Sequence, residues 1–131
     1  MSYDSWPNLV TMFFEKTAAL GDKPFLWAKR DENWASITGN EAAARAAALS
    51  RGLRELGVGD GDRVMLVSEN RPEWAIADFA IMAAGAVSVP AYVTNQIEDH
   101  LHVASNSGAK AAIVSTAQLA EQFLPAAKQS L

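Results

Sequence analysis

Cysteine is absent from the 131 residues. That excludes disulfides, thiolate metal sites and a cysteine nucleophile, and it fits a reducing, cytoplasmic setting. Histidine occurs only at His100 and His102. Two positions apart on a helix, their side chains diverge by about 200° and cannot grip one metal ion, so a solvated surface pair is expected. No charge of one sign dominates. The net charge is −4 and the lysines and arginines form no stripe, which argues against general affinity for nucleic acid. Long apolar runs are also missing. The longest, Ala75 to Val89, is interrupted by Asp78, Gly85 and Ser88 and is too short to span a membrane. No cationic start leads into an apolar segment, so no secretory signal is expected. There is no P-loop, no Ser/Thr/Gly-rich phosphate loop followed by lysine, and no Gly-x-Ser-x-Gly elbow. No catalytic residue and no metal site is therefore expected within this chain.

Half of the residues are apolar, enough for one domain with a sizeable core. The organising stretch is Gly57 to Pro90. Arg63 to Ser68 has the apolar run of a strand buried on both faces. Asn70, Arg71 and Pro72 break it, and Pro72 with Glu73 suits a helix start. From Trp74 to Ala84 only Asp78 is charged, so this helix needs cover on more than one side. Gly85 ends it, and Ala86 to Val89 forms a second strand closed by Pro90. Strand, crossover helix and strand make a βαβ unit with parallel strands.

Before that unit, Leu9 to Leu20 has helical spacing and stops at Gly21. Phe25 to Lys29 and Trp34 to Thr38 predict a hairpin around Arg30-Asp31-Glu32-Asn33. Thr38 and Glu41 have capping-box spacing for a helix running to Leu56, with Ala46, Leu49, Leu53 and Leu56 as its apolar stripe. After Pro90, Asn95 is placed to cap a helix whose buried face is Ile97, Leu101 and Ala104. Ala111 to Ser115 then predicts a third buried strand, and a last helix starts at Thr116 and meets Pro125. The fold class is α/β: a layered parallel β-α-β-α-β unit preceded by a helix, a small hairpin and a long helix. Such a layer usually has more strands, so the sequence is expected to be incomplete. A bare sheet face would follow, and with it self-association of the polypeptide through exposed apolar surface.

Gly57, Gly59 and Gly61 follow a helix and precede a strand, the wrong polarity for a nucleotide loop, and are expected to stop a helix and form a turn. Asp31, Glu32, Asp60 and Asp62 lack the loop spacing of a cation site and are turn formers. Trp74, Phe79 and Met82 could line a lipid pocket, but core packing accounts for them. Tyr92 and Thr94 follow the carboxyl end of a parallel strand, where α/β sheets place ligands. Capping and packing explain both residues and are the preferred reading.

Several phrases in fixed order carry a family resemblance. They are Thr38 to Leu56 with Gly57-Val58, Gly61-Asp62-Arg63-Val64, Asn70-Arg71-Pro72-Glu73-Trp74, Ala84-Gly85-Ala86-Val87 and Val89-Pro90. Together they resemble the amino-terminal part of the adenylate-forming, AMP-binding acyl-CoA synthetases. Pro90-Ala91-Tyr92-Val93-Thr94, Glu98-Asp99 and Ser107-Gly108-Ala109-Lys110 are most similar to the long-chain fatty-acid branch. Gly39-Asn40 departs from the aromatic residue that often follows the threonine.

The resemblance implies that residues 1–131 are the opening of the large domain, with 1–60 the helix, hairpin and capping helix and 61–131 the parallel unit. It implies a parent ligase that adenylates a fatty acid with Mg-ATP and passes the acyl group to coenzyme A. This fragment would bind none of these cofactors and be inactive alone. It implies Tyr92, Val93 and Thr94 as candidate contacts near the entrance for coenzyme A and the acyl chain, and a cytoplasmic parent with membrane-peripheral attachment open to it. The other readings are another adenylate-forming enzyme (an aryl or short-chain acyl-CoA ligase, or an adenylation domain) and a stand-alone flavodoxin-like binding module.

Overall fold

The computed structural model describes residues 6–131. Its elements are α1 (Leu9–Leu20), β1 (Pro24–Arg30), β2 (Asn33–Thr38), α2 (Gly39–Glu55), β3 (Arg63–Val67), α3 (Pro72–Ala83), β4 (Val87–Ala91), α4 (Ile97–Ser107), β5 (Ala109–Val114) and α5 (Ala117–Ser130). Two sheets result: an antiparallel β1-β2 hairpin and a parallel three-stranded sheet ordered β4-β3-β5.

The period of two in β3 divides the molecule. Val64 and Leu66 point to one face, where they join Ala77 and Ile81 of α3 and Leu53 of α2. Met65 and Val67 point to the other, against Ala104 of α4 and Phe123 of α5. All four are essentially fully buried, as a central parallel strand requires. Helices on opposite faces are what two crossovers of one hand demand, because the chain moves from β3 to one side and then back past it. The bare face expected from the sequence is therefore covered at β3. What the sheet leaves open is Val87 on edge strand β4 and the half-buried residues of β5.

Helix α3 has the two-sided cover its composition demands. Ala77 and Ile81 meet the sheet, while Ile76 and Ala80 face Phe13 of α1 and Ala42 and Ala46 of α2. Phe79 stacks on Phe13 with ring centroids 4.1 Å apart. Trp74, Phe79 and Met82 are half-buried, with Trp74 and Phe79 packed against the two clusters. The Thr38 box forms as read: its hydroxyl accepts from Glu41 N–H at 3.2 Å and the Glu41 carboxylate accepts from Thr38 N–H at 2.8 Å. Gly57 and Gly61 take φ of 90° and 76°, closing α2 and the turn before β3.

Six local expectations are corrected. The hairpin turn is two residues, Asp31 and Glu32, with φ of 47° and 66°, the geometry that matches strand twist. β4 continues through Pro90 to Ala91, which an edge strand tolerates because one side of its backbone needs no partner. Leu56 lies past the end of α2 and is 82% exposed, so the buried stripe ends at Leu53. α4 is capped at Gln96, whose N–H donates to Asp99 at 3.0 Å, rather than at Asn95. α5 runs through Pro125 to Ser130. Finally, His100 is not on the surface: it is fully buried with Ala104, while Ile97 is 40% exposed and Leu101 half-buried. The inward stripe of α4 is set by α5, which places Phe123 edge-on to the His100 ring at 5.4 Å.

Candidate functional site

Parallel strands deliver all their carboxyl ends to one side, so three loops converge there. They are Ser68–Arg71 after β3, Tyr92–Gln96 after β4, and Ser115–Thr116 after β5. The β3 and β5 loops are joined by Ser115 N–H, which donates to the Val67 carbonyl at 3.0 Å. The Ser115 hydroxyl donates to the Glu69 carboxylate, and that bond is the main reason Glu69 sits below the usual carboxylate range.

From Glu69 a line of charges leaves the sheet. Arg71 lies 4.0 Å from Glu69 and donates from Nε to Glu73 at 2.8 Å. Glu73 in turn accepts from Arg30 at the end of β1, at 2.5 Å. Pro72 makes this local geometry inevitable: it puts Arg71 in extended conformation at φ −151° and starts α3, so Arg71 and Glu73 flank the first turn. The line fastens the hairpin to the layered unit beside a cavity of about 540 Å³ lined by Leu26 to Arg30 and Glu69 to Glu73.

The hydrogen bond from Arg71, joined by Arg30, lowers Glu73 from 4.5 to about 2. Because the folded value lies below the free one, ionised Glu73 stabilises the fold fully above about pH 4.5. That stabilisation disappears as pH falls towards 2. With the side chain 37% exposed, solvent screening limits it to about 1 kcal/mol. Glu73→Gln is expected to flatten the pH dependence of the unfolding free energy across that window, measured by urea titration at stepped pH. An unchanged acid limb would remove Glu73 from the account.

Of the three residues singled out after β4, the structure brings only Val93 into a concave surface. Val93 lines a cavity of about 310 Å³ with Glu69, Thr116, Leu119 and two glutamines of α5. Tyr92 is 80% exposed and Thr94 is exposed, on a turn closed by Asn95 N–H to the Tyr92 carbonyl at 3.2 Å. Thr116 caps α5, accepting from Leu119 N–H at 3.1 Å. The Arg30–Glu73–Arg71–Glu69–Ser115 line escaped sequence reading because Arg30 and Glu73 are 43 positions apart. The only local signal was charge crowded around Pro72.

Nucleotide and coenzyme chemistry needs free cationic donors for phosphates and free carboxylates for a metal ion. Here the two signs neutralise each other. Among the described residues no group of three or more His, Asp or Glu could hold a metal ion. In this arrangement these side chains pair with one another and hold the loops together.

Comparison with known proteins adds the rest. A family model described as AMP-binding enzyme matches residues 13–130. The long-chain-fatty-acid–CoA ligase FadD15 of Mycobacterium tuberculosis is 42% identical over 102 residues, 78% of this chain and 17% of that protein. The human long-chain-fatty-acid–CoA ligase ACSBG1 is 27% identical over 118 residues, 90% of this chain and 16% of that one. Among solved structures, a benzoate CoA ligase from Burkholderia xenovorans LB400 superposes with a TM-score of 0.80 at 25% identity, covering 94% of this chain and 24% of its own. The chain thus spans about a sixth of the length of the curated relatives it matches.

Proposed function

Because the chain belongs to the AMP-binding enzyme family, we propose that it forms the opening of the large domain of a long-chain fatty-acid–CoA ligase. The parent would adenylate a fatty acid with ATP and Mg²⁺, release pyrophosphate, and transfer the acyl group to the thiol of coenzyme A. The 42% identity to a long-chain ligase is the observation that carries the choice of acyl substrate. The superposition on a benzoate ligase favours a second reading, an aryl acid in place of the fatty acid. In this reading residues 1–60 and 61–131 would be two parts of one scaffold, and among the described residues Arg30 pairs with Glu73 across the two. Val93, with Tyr92 and Thr94 on the same turn, stands on the side where the strand ends converge and would face the entering coenzyme or acyl chain. The parent would work in the cytoplasm or at the periphery of a membrane, as the class of its relatives implies. Separately, no helix among the described residues is long and apolar enough to cross a membrane.

The 131-residue polypeptide alone is proposed to be inactive, since its charged side chains at the strand ends neutralise one another instead of facing a nucleotide. Pyrophosphate exchange measured on it with ATP and palmitate is expected to stay at the blank. A rate above the blank would overturn that division of labour. A Ser/Thr/Gly-rich loop ending in Pro-Lys in the downstream coding sequence would support the parent's activity.

A further inference from the structure

His100 is the bulkiest fully buried polar side chain among the described residues, and the line of charges at the strand ends does not use it. Its ring stands edge-on to Phe123 of α5, at 5.4 Å and 84°. Neither Nδ1 nor Nε2 has a hydrogen-bond partner among the described residues. A neutral imidazole leaves one N–H unpaired there, whereas an imidazolium would leave two and a net charge.

Among the described residues, no carboxylate on the elements around it hydrogen-bonds the ring. β4 has no ionisable side chain. Arg63 of β3 is spent on the Ser107 and Gly108 carbonyls, and Lys110 of β5 on the Gly57 carbonyl and Asp62. α5 brings Glu121 and Lys128, both exposed. On α4 itself, Glu98 and His102 are exposed, and the Asp99 carboxylate is engaged at Gln96 N–H.

The residues around α4 and α5 (Met65, Val67, Ala104, Ala109 and Phe123) form a cluster distinct from the two on the α3 side. One side of the sheet can therefore loosen while the other stays packed. We propose that His100 is an acid-sensitive latch whose protonation unseats α4 and α5 from the sheet while the α1–α2–α3 side remains folded. Burial lowers the imidazole below its ordinary 6.5, and the Asp99 charge only partly opposes this. The latch is accordingly closed above 6.5 and opens as pH falls through the lowered folded value. Opening also frees the turn bearing Val93, which leads straight into α4.

Two measurements on this polypeptide test the latch. In an NMR titration, the His100 imidazole is expected to protonate below the ordinary value of 6.5. In hydrogen exchange corrected for intrinsic rates, residues 97–107 and 117–130 are expected to lose protection on acidification relative to β3 and α3. That loss should be roughly tenfold for each pH unit by which His100 titrates below the ordinary imidazole value. His100→Leu should abolish the differential loss and His102→Leu should preserve it. Titration of His100 at or above the ordinary imidazole value would overturn the latch, as would loss of protection spread evenly over all elements. If His100→Leu fails to fold, the wild-type titration decides alone.

Discussion

Leu66→Ala is expected to destabilise the protein by about 3 kcal/mol or more, through lost burial plus the cavity left behind. Leu66 is 1% exposed at the centre of β3, paired with Pro90 on one side and Ile113 on the other, and packed beneath α3. The helices on that face are themselves held by other contacts and cannot collapse into the void cheaply. Against a total stability of about 5–15 kcal/mol, such a loss consumes much of the fold. Leu56→Ala is the matched control: the same change at a side chain 82% exposed should fall within about 0.5 kcal/mol of wild type. Urea unfolding followed by circular dichroism gives both values. Near-equal costs at the two sites would mean that β3 is not the central strand.

Gly39→Ala is expected to cost about 1–3 kcal/mol, although alanine is the better helix former. Gly39 is the first residue of α2, where the end of α1 crosses it. A Cβ there would meet the Thr17 carbonyl oxygen at 2.5 Å and the Leu20 Cβ at 2.8 Å. Two hydrogen bonds fix the approach: Gly39 N–H donates to the Lys23 carbonyl at 3.2 Å and Asn40 N–H to the Gly21 carbonyl at 2.9 Å. Because one clashing atom is backbone, relief requires moving a helix end, not rotating a side chain. Gly52→Ala isolates the opposing propensity effect, since a Cβ at that position meets nothing within 4 Å. It should stabilise by up to about 1 kcal/mol. Thermal or urea melts in which Gly39→Ala also gains stability would refute the close crossing.

The legible parts of the fold were those where one segment's own chemistry decides. The apolar run of β3, the Pro72 start and two-sided apolarity of α3, the Thr38–Glu41 box and the glycine stops all needed only neighbours within a few positions. The order of phrases from Thr38 to Lys110 was likewise enough to place the chain among the adenylate-forming acyl-CoA synthetases, as the match over residues 13–130 bears out.

Tertiary structure alone decided which side of a segment faces inward when its composition allows more than one. Leu56 went to solvent because α2 ends before it, and His100 went inside because α5 brings Phe123 to that face of α4. The charge line from Arg30 to Ser115 needed the hairpin, the α3 start and β5 to meet, across 43 and 46 positions of chain. Period and propensity act over one or two turns, whereas burial and charge pairing are settled by whatever packing brings alongside. Local sequence therefore determined the elements, and the packing between them chose the buried histidine and the carboxylates that hold the loops.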